Sequence, residues 1–122
     1  MPINMKTVIL DASFILHALQ YKIDIITELH KLLDTNFTPI IIDKTTQELK
    51  GKKLGNLAVT YLASHHVAAI PTTQERNVDN LILSNLTQET LVATQDKKLK
   101  EKLKKRKTGI ITIRQKRYLA LV

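Results

Sequence analysis

Short apolar runs recur along this chain, and residues at helical spacing fill the intervals between them. The runs are residues 7–10 (TVIL), 39–42 (PIII), 67–70 (VAAI), 90–94 (TLVAT) and 110–113 (IITI). Each is short enough to be a buried strand bounded by turn signals. The first interval carries Phe14, Leu16 and Leu19, then Ile25, Ile26, Leu29, Leu32 and Leu33 over residues 23–33, which predicts two helices. Thr45 or Thr46 is predicted to cap the helix after the second run, and Gly51 to end it. Leu54, Leu57, Ala58, Tyr61 and Leu62 form another helical face, with Tyr61 read as core, and Val78, Leu81, Ile82 and Leu86 the next. A last helix runs from Asp96 to Arg106 and stops at Gly109. Strands separated by helices imply right-handed βαβ units. The expected fold is α/β, three layers (α/β/α) around a parallel sheet of four or five strands, and 122 residues suit one domain, 1–122.

Composition removes several function classes. Without cysteine there is no disulfide, thiolate nucleophile or Cys-ligated zinc. No apolar run approaches the ~20 residues of a membrane helix. The opening MPINMKTVILDASFIL has its apolar stretch broken by Asp11 and no small-residue cleavage site after it. It reads as strand, turn and helix, and a soluble, cytoplasmic protein is expected. No Gly-rich phosphate loop or nucleophile elbow occurs. His65 and His66 are adjacent and project differently, which disfavours a histidine metal site. A receiver-type phosphoacceptor would need paired acids after the first strand and an Asp ending the third, where this chain has Asp11 alone and then Pro71. The net charge of +8, from 19 basic and 11 acidic residues, favours a polyanionic partner.

In parallel sheets, ligands bind beyond the carboxyl ends of the strands. Asp11 ends the first strand and Asp96 follows the fourth. Glu48 lies early in the helix after the second strand, and Asp79 in the first turn of the helix after the third. Each has a plainer reading: Asp96 as an N-cap, Asp79 as a favourable charge at a helix start, Glu48 as surface. Asp11 is harder to explain that way. A partly buried carboxylate needs a cation or several donors, or it neutralises. Four converging carboxylates would repel one another without a metal. Hard oxygen ligands suit Mg²⁺ or Mn²⁺, which can activate water and stabilise an in-line phosphoryl transition state.

The segments VILDASFIL, TTQELKG, NVDNLIL and LVATQDKKLKEKL resemble, in order and spacing, the four signature segments of PIN-domain nucleases. The ending GIITIRQKRYLALV is most similar to that of the ribosome-biogenesis PIN endonucleases, while VapC toxins share the core. The resemblance implies that Asp11, Glu48, Asp79 and Asp96 are the metal-binding and catalytic acids, with Ser13 supporting the first. It implies a Mg²⁺- or Mn²⁺-dependent endoribonuclease acting in ribosomal RNA processing. The alternatives are a VapC-type toxin held by an antitoxin, and a catalytically weak RNA-binding assembly factor of ribosome precursors. Relatives often carry further Asp residues where this chain has Asn80 and Lys98. A homodimer is also implied, and the apolar residues of 14–33 look more numerous than one sheet face requires.

Residues 97–107 hold eight Lys or Arg around Leu99 and Leu103. The leucines can seat one stripe on the sheet and leave a cationic face, for which Lys97, Lys98, Lys100, Lys104 and Lys107 are the expected RNA contacts. Phosphate contacts of this kind position a strand without reading its sequence. Lys44, Lys50, Lys52 and Lys53 offer a second basic rim near Glu48.

Overall fold

In the computed structural model, which describes residues 5–72 and 77–122, six strands form one sheet. The first four residues of the N-terminal segment lie outside the described range. In chain order the elements are β1 (Met5–Leu10), α1 (Ala12–Gln20), α2 (Ile25–Leu32), β2 (Asn36–Ile42), α3 (Thr45–Leu49) and α4 (Gly55–Ser64). Then come β3 (Ala68–Ile70), α5 (Val78–Ser84), β4 (Thr90–Ala93), α6 (Lys97–Lys105), β5 (Gly109–Arg114) and β6 (Tyr118–Leu121).

The strand order is β3-β2-β1-β4-β5-β6. The first five strands are mutually parallel, as the alternating pattern predicts. The sixth is antiparallel to β5 and was not foreseen. Its residues YLAL follow a cation-rich turn without glycine, proline or asparagine, so no turn signal marks a hairpin there.

Successive side chains on a strand point to opposite faces. Val8 and Leu10 of β1 therefore join Phe14, Ile15, Ile25 and Leu29 in one core, with Leu49, Ala58 and Leu62. Ile9 joins Leu81, Ile82, Leu99 and Leu103 in the other. Helices α1–α4 cover the first face, and α5 and α6 the second, which gives three layers.

Local details depart from the sequence reading. Neither threonine caps α3. Its N-cap is Lys44, while Thr45 is the first helical residue, fully buried, with its hydroxyl unpaired among the described residues. Leu57 is 52% exposed, because α4 buries only Gly55, Ala58 and Leu62. Tyr61 is only half-buried, since its hydroxyl reaches out to Asp24 at 2.5 Å and accepts the Ile26 N–H at 2.9 Å. After α6 it is Lys107, at φ 58°, that takes the left-handed conformation, and Gly109 opens β5. The apolar residues of 14–33 that looked surplus are absorbed: Phe14, Ile15, Ala18, Ile23, Ile25 and Leu29 all lie in the core.

Candidate active site

The strand order reverses between β1 and β4, with β2 and β3 on one side and β5 and β6 on the other. The carboxyl ends of β1 and β4 thus flank the crevice where open parallel sheets bind ligands. Asp11 and residues 94–96 stand there.

Asp11 occupies the N-cap position of α1 in an extended conformation, yet its side chain makes no capping bond. Asp24, Asn77 and Asp96 all cap the helices that follow them. Asp11 is 4% exposed, and its Oδ2 accepts from Ser13 Oγ at 2.7 Å and Thr94 Oγ1 at 2.8 Å. The supporting role that resemblance implied for Ser13 thus matches a direct contact. Thr94, which sequence reasoning treated only as strand, is fully buried and carries more of the site. Its hydroxyl also accepts the Asp96 N–H at 3.1 Å. The Gln95 N–H donates to Ser13 Oγ at 3.2 Å.

Gln95 ties this loop to β5. The last backbone rung between the strands is Thr94 N–H to Ile111 C=O at 3.1 Å. The next is made by a side chain: Gln95 Oε1 accepts the Ile113 N–H and the Thr112 hydroxyl, each at 2.7 Å. Lys100 Nζ donates to the same Thr112 hydroxyl at 2.7 Å. A hydroxyl or amide flanking an acid was the available signal for Thr94 and Gln95, but such residues are common at strand ends.

The other acids gather around Asp11. Glu48 stays open to solvent, but the cleft removes enough water to push its carboxyl up, and the charges of Asp11 and Asp79 push it further; Lys52 opposes them. Asp79 is half-buried. Desolvation raises it first, then Asp96 and Asp11, against a downward pull from Lys102. Asp96 caps α6 through Oδ1, which accepts from Lys98 N–H at 2.9 Å and Leu99 N–H at 3.3 Å. The plain capping role is realised, and the charge of Asp96 reaches Asp79 and Glu48. Glu48 thus feels the charges of Asp11, Asp79 and Asp96, and Asp79 those of Asp11 and Asp96. Among the described residues, no three His, Cys, Asp or Glu side chains yet stand close enough to hold one ion. The donor set, all carboxylate and mutually repelling, suits a hard cation that would turn repulsion into attraction.

Asn80 is exposed in the first turn of α5, where its N–H is taken by the Asn77 side chain at 2.9 Å. The basic residues divide. Lys97 and Lys98 are exposed beside Asp96. Lys100 is half-buried and already bonded to Thr112; burial first, then Lys104, Arg114 and Lys97, hold its ammonium below the usual lysine range. Lys104 is exposed farther along the helix. Lys107 follows the far end of α6, at the amino edge of the sheet. There it lines a cavity of about 540 Å³ with Leu83, Thr90, Arg106 and Gly109. Helix α6 runs back along the sheet and carries Lys107, one of the expected RNA contacts, away from the acids. Lys102, absent from the expected contacts, is the one whose charge reaches Asp79.

Known proteins resemble this chain in sequence and in fold. Ribonuclease VapC4 of Methanocaldococcus jannaschii is 28% identical over 130 residues, spanning 96% of this chain and 97% of its own length. The solved structure of the PIN domain endonuclease Utp24 superimposes with a TM-score of 0.83 at 28% identity, covering 94% of this chain and 90% of that one. The family described as PIN like domain matches residues 8–116, nearly the whole chain, and to that family this chain belongs.

Proposed function

We propose that this chain is a metal-dependent endoribonuclease whose working groups are Asp11, Glu48, Asp79 and Asp96. The observation that carries the reading is Asp11, a buried carboxylate at a helix start that caps nothing and is aimed by two hydroxyls into a cluster of acids. The likeness to a ribonuclease and to an endonuclease of the same fold supports it.

Asp11 and Asp96 would be the direct ligands, and the Thr94 hydroxyl ties the Asp11 carboxylate to the Asp96 backbone. A bound Mg²⁺ or Mn²⁺ supplies positive charge for the phosphoryl transition state. Glu48 and Asp79, whose charges meet those of Asp11 and Asp96, orient the attacking water. The product keeps a 5′-phosphate and a 3′-hydroxyl. Lys97 and Lys98 bind flanking phosphates.

Ribosomal RNA processing is the role we favour, on the resemblance of the ending GIITIRQKRYLALV to that of the ribosome-biogenesis PIN endonucleases and of the fold to Utp24. A VapC-type toxin with a covering antitoxin is the second reading, favoured by the end-to-end match to VapC4. A homodimer accords with the exposed Leu57 and Val59 of α4. Light scattering showing a monomer at micromolar concentration would remove it. The deciding assay incubates single-stranded RNA with Mn²⁺ or Mg²⁺ and maps the product ends. Wild type should cleave and Asp11→Asn should not. If both were inert yet bound RNA, the chain would be a binding module.

A further inference from the structure

At the acidic edge, β5 turns into β6 through a loop of unusual backbone. Gln115 and Lys116 both take left-handed φ, 53° and 56°, and the Arg117 N–H donates to the Arg114 C=O at 3.1 Å. Two successive positive φ values are the mark of a primed hairpin turn, where Asn and Gly are the favoured residues. A long side chain there is held against its own backbone preference. Strain of this kind gathers at positions a fold needs for function. All four residues from 114 to 117 are exposed, and three are cations. Because β5 is parallel to β4, this tip lies on the same edge as the four acids.

Helix α1 leads from the acids toward that tip. Ser13, His17 and Tyr21 follow at successive intervals of four, on one face of the helix. Ser13 holds Asp11, and His17 Nδ1 lies 2.7 Å from the Ser13 C=O. The His17 ring stacks on Tyr21 with centroids 5.9 Å apart, and Lys116 Nζ sits 5.7 Å from the Tyr21 centroid. His17 and Tyr21 are both half-buried. A continuous row thus runs from the buried carboxylate, over two aromatic rings, to a strained cationic hairpin. It borders the face of the sheet opposite the one α6 covers.

We propose that this row is a track for single-stranded RNA. A base stacks on the face of Tyr21 that Lys116 now covers, beside His17, and Lys116 and Arg117 take the phosphates on either side of it. Lys116 need only rotate its side chain to exchange the ring for a phosphate. Aromatic faces accept any base, so the track binds strands without reading their sequence. It rests on the ribonuclease reading, and it places one arm of the strand on the α1 flank of the acid cluster.

The test uses the full chain in EDTA with a short fluorescent single-stranded RNA carrying 2-aminopurine. Tyr21→Leu should weaken binding roughly 5- to 100-fold and abolish the quenching of the 2-aminopurine, while Tyr21→Phe keeps both. Lys116→Gln with Arg117→Gln should lower the slope of log affinity against log salt by about 1.4, or 0.7 for each phosphate on a single strand. Both hairpin residues are exposed, so this pair leaves the fold intact even if Tyr21→Leu loosens it. The proposal stands only if both sites respond. If wild type binds RNA and either Tyr21→Leu or the hairpin pair binds like wild type, the track is overturned and the ribonuclease reading survives. If wild type binds no RNA, both fall.

Discussion

The Thr94 hydroxyl donates to Asp11 Oδ2 at 2.8 Å across the junction of β1 and β4, joining residues 83 positions apart in sequence. The same oxygen accepts the Asp96 N–H at 3.1 Å, so one hydroxyl sets the positions of two acids. Thr94→Val keeps the shape and removes the bonds. It should lower the cleavage rate roughly 10- to 100-fold, as losses behind a metal ligand do. It should also cost about 1–3 kcal/mol of stability, because Asp11 and the Asp96 N–H each lose a partner. Thr94→Ser should recover most of both. Cleavage kinetics with Mn²⁺ and thermal melting measure them. A Val variant as fast as wild type would show that the hydroxyl does not aim the acids.

Burial first, and then the charges of the neighbouring acids, raise the carboxyls of Glu48 and Asp79, and a cation would relieve the repulsion. Mn²⁺ or Mg²⁺ should therefore raise the melting temperature. At a hundred times the dissociation constant the gain is about 2.7 kcal/mol. The shift should shrink in Asp11→Asn and in Asp96→Asn. Calorimetry without any ion-dependent shift would count against a metal site at this edge.

The lysines of α6 should not behave alike. Lys97→Gln with Lys98→Gln should lower the salt slope of RNA binding by about 1.4 if both meet phosphate. Lys107→Gln should leave the slope unchanged, since that residue sits by the cavity at the other edge of the sheet. Equal effects would mean that the strand follows the whole helix.

Acid should weaken the corner where β2 leaves the sheet. Asp43 accepts the Thr72 hydroxyl at 2.7 Å and the Thr72 N–H at 2.9 Å, which hold its carboxyl below the ordinary 3.8. A carboxylate whose folded value is depressed stabilises the protein above its unfolded value, and that contribution disappears as pH falls through the folded one. The melting temperature should therefore drop below about pH 4, and less steeply in Asp43→Asn. Parallel curves for the two proteins would show that the corner contributes nothing.

The sheet was legible because its runs are apolar on both faces and end at polar residues, as in TVIL before Asp11. The edge on which Asp11, Glu48, Asp79 and Asp96 stand was legible because topology places the ends of β1–β4 there. Three kinds of feature were not. β6 adds an edge strand whose turn uses Gln115 and Lys116, residues that carry no turn signal. Thr94 and Gln95 act through bonds to Asp11 and β5, and no local pattern encodes partners so distant. The split of the basic helix depends on where α6 ends relative to the sheet, so Lys97 and Lys107 look equivalent until the chain is folded.

Gln95 replaces one rung of the ladder between β4 and β5 with a side-chain amide, and that gives the protein a built-in reporter. The Ile113 N–H is shielded only while the loop carrying Thr94 and Asp96 is docked. Its exchange with deuterium should then report local opening of the acid edge, separate from global unfolding. Replacing Gln95 by Ala should speed exchange at Ile113 while leaving the buried Ile111 at its wild-type rate. Bound RNA or metal that steadies the loop should slow exchange at Ile113, which would allow occupancy of the crevice to be followed from an amide on a neighbouring strand.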